Sequence, residues 1–302
     1  MRNQMLKNIA TIKPLDESYG MTVAPDLTRV GQLGENDREE TLSFLNERPV
    51  HTVVMTSFII DNGMRSPNNR GDFYGHRNAE GKLDGVALIG HTTLVEARSP
   101  EALKALAFTA RRFESVINLV MSNGDDAAEF WSHMTAGCKE PRLTCVEKLF
   151  EMSFPFPVPA SNFELTLATE AQLLEIAEAQ AEIAFAESGR NPMEIDREGF
   201  LQRVVRRIDQ GRIFVVVRDG KLIFKADVIA ETAETAYLEG VYVAPEYRGH
   251  GIGSSCLAQL SCKLLDRVRN VCLLSNVDFE SAHASYLRAG FKSTGQCTTL
   301  FA

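Results

Sequence analysis

The chain has 302 residues, 44% of them hydrophobic, which is enough to bury a large core and predicts two domains. Its formal net charge of −8 argues against a protein that binds nucleic acid, and no apolar run approaches the roughly 18 to 20 residues that cross a bilayer. We therefore expect no nucleic-acid or membrane partner. The six cysteines lack the spacing of metal ligands, so we expect reduced thiols, no metal site and a cytoplasmic location.

The N-terminal half alternates helix-like and strand-like segments after a weakly patterned extension over residues 1–33. Two apolar segments flank the turn-forming residues Asn78 to Gly81, which predicts a β-hairpin. The segments of this half are, in chain order, a helix over 39–45, an apolar run over 53–60, hairpin strands over 71–76 and 83–90, a helix over 100–113, a strand over 116–121, a helix over 127–134 and a strand over 143–152.

Alternating prolines between Ser153 and Pro159 mark the clearest boundary in the chain. Proline excludes a helix and favours a stiff, extended connection. We therefore predict a linker over residues 153–162 that joins a first domain, 34–152, to a second domain, 163–302.

A strand from Leu238 to Val243 is the most distinctive element of the C-terminal half, because it is rich in β-branched and aromatic residues. Pro245 closes it, and Gly240 within it predicts a bulge. It follows elements predicted in the order strand, helix and hairpin, over residues 163–167, 170–185, 214–217 and 222–229.

A glycine-rich turn, Arg248-Gly249-His250-Gly251-Ile252-Gly253, lies between this strand and a helix. Glycine lets an anion approach the backbone, and unpaired amides at a helix N-terminus favour negative charge, so the turn predicts a pyrophosphate site. A Rossmann loop would need glycine at Ser254, and the Gly-Lys-Ser/Thr of a Walker loop is absent. The apolar face of the helix is formed by Leu257, Leu260, Leu264, Leu265 and Val268.

An apolar strand over 271–274 follows, then Asn276 and a helix that carries Tyr286 and ends at Gly290. This order of elements resembles the GNAT superfamily of N-acetyltransferases over roughly residues 237–293. The fainter repeat in the first half resembles tandem-GNAT proteins whose first domain is degenerate. The resemblance implies an α/β (α+β) fold of two tandem GNAT-like domains, each a mixed, mostly antiparallel sheet flanked by helices.

The resemblance also implies acetyl-coenzyme A (acetyl-CoA) as co-substrate, without a metal. Backbone groups of Val241 and Val243 would pair with the pantetheine arm, and the Val241 amide would polarise the thioester carbonyl. Many members carry a further Asn seven residues before the Tyr, where this chain has Phe279. The implied cofactor-binding residues are Val241, Tyr242, Val243, Arg248, Gly249, His250, Gly251, Ile252, Gly253, Ser254 and Asn276.

N-acetyl transfer needs a base for the protonated amine and an acid for the leaving thiolate. The resemblance points to Glu239 as the base, working directly or through water, if the strand register turns it into the cleft. It points to Tyr286 as the acid. The alternative is that Tyr286 is a half-buried tyrosine of the helix without a catalytic role. Glu187, in the loop after the first helix, is the candidate for binding the acceptor. His250 is expected to face solvent or phosphate, and His283 to be a surface residue without a role.

The equivalent turn of the first half, Glu96 to Glu101, has two acids, a proline and no glycine. Carboxylates repel a pyrophosphate and proline removes an amide donor, so we expect this half to have lost cofactor binding. Two readings of its role stay open: it is structural, or it shapes the acceptor site.

The sequence thus predicts an acetyl-CoA-dependent N-acetyltransferase that acts on a primary amine by direct attack. The acceptor stays open among a small amine, an amino acid or sugar derivative, and a peptide or protein amino group. The alternative is a non-catalytic protein that binds or senses acyl-CoA.

Overall fold

The computed structural model describes residues 25–157 and 163–302, which form one continuous sheet of twelve strands with helices on both faces. Most of the extension and part of the predicted linker, residues 1–24 and 158–162, lie outside the described residues. The two halves repeat one order of elements: strand, two helices, three strands, helix, strand, helix and strand, with one extra short helix in the second half. The predicted fold class is confirmed.

The first half contains six strands and four helices among the described residues. The hairpin and the four later helix and strand predictions are confirmed within a few residues. The apolar run over 53–60 is helical, and strand β4 was not predicted. The elements are β1 Val30–Gln32, α1 Arg38–Asn46, α2 Val53–Asn62, β2 Gly71–Arg77, β3 Leu83–Gly90, β4 Thr92–Ala97, α3 Pro100–Arg111, β5 Leu119–Asn123, α4 Asp126–Thr135 and β6 Leu143–Met152.

The second half contains six strands and five helices among the described residues. The predicted hairpin, the strand before the glycine-rich turn and the helices on either side of Asn276 are all present. The elements are β7 Thr166–Leu167, α5 Leu173–Ser188, α6 Pro192–Ile195, α7 Arg197–Asp209, β8 Ile213–Arg218, β9 Lys221–Glu231, β10 Thr235–Val243, α8 Ile252–Leu265, β11 Asn270–Asn276, α9 Glu280–Arg288 and β12 Lys292–Phe301.

The two halves exchange their last strands. The strand order is β1-β2-β3-β4-β5-β12-β6-β11-β10-β9-β8-β7, so β12 of the second half pairs with β5 of the first, and β6 of the first pairs with β11 of the second. Two pairs are parallel, β4 with β5 and β10 with β11, and the rest of the described ladder is antiparallel. The domain limits 34–152 and 163–302 stay predictions about chain order, because the hydrogen-bonded sheet crosses them.

Apolar side chains fill both faces of the sheet in each half. In the second half, one core lies under α8 and α9 and includes Phe150 from the exchanged β6, whereas a second core lies under α5 and α7. The first half has the matching pair of cores under α3 with α4 and under α1 with α2. Helix α2 also packs across the junction, where Val53 joins Tyr237 and Cys272 of the second half. The exchange therefore buries each half's last strand in its neighbour's core.

Candidate active site

The glycine-rich turn presents a row of unpaired amides. Gly249 and Gly251 have φ of +82° and +77°, a region that L-residues other than glycine rarely adopt. Helix α8 begins at Ile252 without a side-chain cap, and the Gly251 carbonyl accepts from the Ser254 hydroxyl at 2.9 Å and the Ser255 amide at 3.0 Å. Across the described residues, no acceptor pairs with the amides of residues 249–254. These donors are oriented for an anionic ligand.

The third glycine of the turn has a packing role. A Cβ atom at Gly253 would lie 3.1 Å from the Val243 side chain, whereas a Cβ at Gly249 or Gly251 would meet nothing within 4 Å. Gly253 thus lets α8 approach the end of β10, and the first two glycines provide the turn's backbone conformation. The candidate cofactor residues Val241, Tyr242 and Val243 form the adjacent strand edge, which lines the cleft.

The cleft opens where β10 and β11 diverge. Their parallel pairing runs from Thr235 with Asn270 to Leu238 with Leu273 and then stops. Beyond it, Gly240 has φ of +60° and the register against β9 shifts between Glu239 and Tyr242, which confirms the predicted bulge. The diverging strands leave a cleft of about 880 Å3 that reaches from the glycine-rich turn to α5, α9 and the exchanged strands.

The ladder register assigns the candidate residues to two faces of the sheet. Directly paired residues share a face and neighbours along a strand alternate. Tyr237 pairs with Cys272, so Glu239 and Asn276 lie on one face, together with Glu147, which pairs with Asn276. Ser275 lies on the opposite face, under α8 and α9. The cleft passes through the sheet between these two faces.

Glu239 lines the cleft at the start of the bulge, which answers the question of strand register that the sequence left open. Burial raises the pKa of its carboxyl, and the Arg207 charge and a hydrogen bond from the Tyr237 phenol oppose that rise. A carboxylate with a raised pKa is a stronger base than an ordinary glutamate. The cleft thus contains a carboxyl whose pKa is raised at the point where β10 bulges.

A buried lysine holds the bulge in place. Lys225 is 0% exposed, and its ammonium donates to the Gly240 carbonyl at 3.0 Å and to the Gln180 side chain at 2.7 Å. It also forms an ion pair with Asp227 at 2.8 Å. A charge-assisted hydrogen bond to the bulge carbonyl fixes the backbone beside Glu239. Nothing in the sequence pattern indicated this lysine.

Glu187 was predicted to lie in the loop after the first helix, but it lies in the last turn of α5, which extends to Ser188. It lines the same cleft as Glu239. Its side chain is exposed to the solvent of the cleft, yet the surrounding protein and the charges of Glu239 and Glu147 raise the pKa of its carboxyl to about 7. The structure thus brings the predicted acceptor-binding residue to the same cleft as the predicted base.

Glu147 of β6 is a third carboxyl in the cleft, and the sequence analysis missed it. Burial first, and then the Glu239 charge, raise the pKa of its carboxyl to about 7 against a hydrogen bond from Thr299. It comes from the first half and reaches the cleft only through the strand exchange. The one local signal was a charged residue flanked by the inward-facing Cys145 and Leu149 at alternate positions of a strand.

Tyr286 lies on the opposite face, lines the cleft and is 9% exposed. Burial raises the pKa of its phenol to about 12, and a hydrogen bond with Ser275 only partly offsets that rise. Its ring meets Phe150 edge-on, with centroids 5.4 Å apart. The phenol therefore stays protonated near neutral pH and can act as an acid. Ser275 was not predicted.

Asn276 ends β11 at the cleft. Its side-chain oxygen accepts from the Asp278 amide at 2.9 Å, and its carbonyl lies 2.9 Å from His283 Nε2. The prediction that His283 is a surface residue was wrong. The imidazole is 6% exposed and packs on Phe150, with centroids 5.2 Å apart, because it shares the inward face of α9 with Tyr286.

The two basic side chains of the turn have different surroundings. Arg248 Nε donates to the Val243 carbonyl at 2.8 Å, and its guanidinium lies 5.7 Å from the Tyr242 ring. His250 is exposed. Within residues 25–157 and 163–302, no group of His, Cys, Asp and Glu is placed to hold a metal ion, and no helix is long and apolar enough to cross a membrane.

A protein-family profile matches part of the second half. Residues 209–293 match the profile of the acetyltransferase (GNAT) domain, a range that includes β10, the glycine-rich turn, β11 and Tyr286. No curated protein matches the chain.

Solved structures share the fold over nearly the whole chain. A Drosophila protein is similar with a TM-score of 0.66 and 12% identity, over 91% of this chain and 98% of that one. A tandem GNAT protein from the clavulanic acid biosynthesis pathway has a TM-score of 0.57 and 16% identity, over 90% and 98%. A GNAT-family acetyltransferase from Colwellia psychrerythraea has a TM-score of 0.53 and 13% identity, over 90% and 99%. One of these three structures is named as a tandem GNAT protein, and this chain shares its fold.

Proposed function

We propose that this acyltransferase, which belongs to the GNAT acetyltransferase superfamily as a tandem-GNAT chain, transfers an acetyl group from acetyl-CoA to a primary amine by direct attack. One observation carries the proposal. A single cleft joins the unpaired amides of residues 249–254 to the carboxyl of Glu239 on one face of the sheet and the phenol of Tyr286 on the other.

The residues of the cleft fit coenzyme A. The amides of the turn and the N-terminus of α8 suit a pyrophosphate, because each supplies a donor and the helix dipole favours negative charge. The edge of β10 at Val241 and Val243 would hold the amide-containing arm, with Tyr242 and Asn276 beside it. Arg248, Ser254 and His250 would complete the site around the phosphates.

Acetyl-CoA supplies an activated thioester carbonyl to this site. Glu239 receives the proton that the ammonium of the acceptor must lose before its nitrogen can attack, and the Val241 amide donates to the carbonyl oxygen as charge develops there. Tyr286 gives its proton to the sulfur as the carbon–sulfur bond breaks. Glu239 and Tyr286 would thus act from opposite faces of the sheet.

The acceptor is proposed to be a small-molecule or peptide amine. Glu187 would bind it, since an ammonium group is attracted to carboxylates and would enter on the α5 side. We assign acyl transfer to the domain 163–302 and propose that the domain 34–152 binds no coenzyme A. A cytoplasmic location belongs to the same proposal and is supported by six unpaired cysteines.

Two measurements test the proposal in order. Calorimetry with acetyl-CoA should give binding, and a thiol-release assay with 1,4-diaminobutane, tyramine, glucosamine and a lysine-containing peptide should then give turnover with at least one amine. Binding without turnover for a broad amine panel would favour the acyl-CoA-sensing alternative. Failure to bind acetyl-CoA would contradict the function altogether.

A further inference from the structure

We propose that Glu147, supplied by the first half of the chain, is an acceptor-binding residue that holds the ammonium group of the amine beside Glu239. The inference rests on the proposed function and deepens it, because it gives the N-terminal half a direct role at the active site.

The strand exchange places Glu147 at the cleft. Strand β6 lies between β11 and β12, and Glu147 pairs with Asn276 on one side and with Cys297 on the other. It therefore lies level with the end of β11, where β10 has already diverged. The alternation along β6 puts its side chain on the Glu239 face, and it lines the cleft together with Cys145 and Thr299.

A hydrogen bond orients the carboxyl toward a ligand. The Thr299 hydroxyl donates to Glu147 Oε2 at 2.8 Å, which fixes one oxygen from the side of β12. No other hydrogen bond to this carboxyl occurs within the part of the chain that the structure describes, so Oε1 is available at the cleft. A half-buried carboxylate that has one oxygen unpaired gains stability when a donor arrives.

The charges around Glu147 favour a cation. The Glu239 charge raises the pKa of Glu147, and the charges of Glu239 and Glu147 raise the pKa of Glu187. The thiols of Cys145 and Cys297 also have raised pKa values. Among the described residues, neither Glu147, Glu187 nor Glu239 forms an ion pair with Lys or Arg. Arg207 and Lys225 act on Glu239 through their positive charges, and an ammonium ligand would add a positive charge beside Glu147 and Glu187.

The two glutamates on this face would divide the work. Glu239, at the bulge and hydrogen-bonded to Tyr237, takes the proton from nitrogen. Glu147 holds the ammonium before that transfer and then accepts a hydrogen bond from an N–H of the neutral amine. The proton count balances, since one proton leaves nitrogen and one carboxyl gains it.

Glu151 offers a matched control on the same strand. It lies on the same face of β6, and the Thr294 hydroxyl of β12 donates to its carboxyl at 2.6 Å, as Thr299 does for Glu147. Glu151 does not line the cleft. Glu151→Gln therefore reproduces the loss of a threonine-bonded carboxylate from β6 without touching the acceptor site.

The experiment uses the full-length chain, because removing the first half would also remove β6 from between β11 and β12. Binding of n-butylamine at saturating coenzyme A is measured by ligand-observed NMR for the wild type, Glu147→Gln, Glu147→Asp and Glu151→Gln. Glu147→Gln should weaken amine binding at least tenfold, Glu147→Asp should recover part of it, and Glu151→Gln should match the wild type. Coenzyme A affinity should be equal in all four, with folding checked by circular dichroism.

In turnover, Glu147→Gln should raise the KM for the best amine of the panel at least tenfold, with a much smaller change in kcat. Equal amine binding by Glu147→Gln and the wild type would overturn the inference, as would no binding of n-butylamine to the wild type or an equal loss in Glu151→Gln. Loss of coenzyme A affinity in Glu147→Gln would make the residue structural and also overturn it. Failure of the proposed function is distinct, since it would show as absent coenzyme A binding or absent thiol release in the wild type.

Discussion

In both halves of the molecule a parallel pair of strands adjoins a turn that leads into a helix: β4, β5 and α3 in the first half, and β10, β11 and α8 in the second. The second-half turn leaves the amides of residues 249–254 unpaired. In the first-half turn, two amides already have acceptors within the protein. The Ser99 hydroxyl accepts from the Ala102 amide at 3.1 Å, and the Arg98 amide donates to the Asp84 carbonyl at 2.7 Å. Pro100 has no amide hydrogen to offer.

The space between the strands differs in the same way. In the second half the divergence of β10 and β11 forms the cleft of about 880 Å3. In the first half, the Ser122 hydroxyl of β5 donates to the Val95 carbonyl of β4 at 2.9 Å, which closes the corresponding gap. The remaining cavity is about 60 Å3 and is walled by side chains such as Met55 and Met121.

The first half also neutralises its own charge. Glu96 at the end of β4 is 3% exposed and forms ion pairs with Arg48, at 3.0 Å, and with Arg98. In the second half, Glu187 and Glu239 of the cleft form no such ion pair among the described residues, although Glu182 at the cleft pairs with Arg248 at 3.4 Å. The same order of elements thus surrounds an open cleft in the second half and a packed, ion-paired interior in the first, and the first half reaches the cleft through its exchanged strand β6.

Tyr286→Phe is the most severe test of placing the chemistry in the second half. If the phenol protonates the leaving sulfur, kcat should fall about 10² to 10⁴-fold while the affinity for acetyl-CoA stays nearly unchanged. Tyr74→Phe, at a partly buried tyrosine of the first half, is the control and should keep wild-type turnover. Steady-state kinetics with a calorimetric Kd decides the question, and wild-type kcat in Tyr286→Phe would return this residue to a packing role.

Glu239→Gln should lower kcat/KM about 10²-fold or more near neutral pH. The raised pKa of this carboxyl lies above the ordinary 4.5, so wild-type activity should climb as pH rises through it and the carboxylate forms. The loss in the variant should be largest between that pKa and the pKa of the amine, and shrink at higher pH where the amine is already neutral. A loss that is independent of pH would contradict the role as base.

Gly251→Val should reduce the affinity for coenzyme A tenfold or more, about 1.4 kcal/mol. The φ of +77° strains any β-branched residue, and the side chain would cover the amides that a pyrophosphate needs. Gly220→Val is a matched control, since Gly220 has φ of +74°, open space around its Cβ and a place in the β8–β9 hairpin away from the cleft. Equal affinity in the two variants would separate the turn from cofactor binding.

Local patterns of the sequence predicted most of the elements and the turn. Both hairpins, the bulge at Gly240 and the helix after the glycines follow from signals within about ten residues. The exchange of β6 and β12 could not be predicted that way, because alternation shows that a strand has an inward face without showing which strand lies beside it. Glu147 was missed for this reason.

Helix periodicity also carried information that the prediction for His283 did not use. Residues three apart lie on one face of a helix, so a buried Tyr286 implies an inward His283. For Val53 to Ile60 the run is apolar and β-branched at several positions, and periodicity alone does not separate a buried helix from a strand. In the structure this segment is a helix that packs on β9 and β10 of the other half. Such a contact between distant parts of the chain cannot be predicted from the local sequence.

The smallest expected effect concerns the first-half turn. Ser99→Ala removes the cap of α3, which should cost about 1 kcal/mol of stability in chemical denaturation. It should leave the affinity for acetyl-CoA and the stoichiometry of one molecule per chain unchanged, because the freed Ala102 amide adjoins Pro100 and a filled gap. Titration of the wild type and Ser99→Ala checks this, with Gly251→Val as the variant that should lose the single site. Saturation at two molecules, or a second weak site in Gly251→Val, would show that the first half still binds the cofactor. That result would contradict the proposed difference between the two turns.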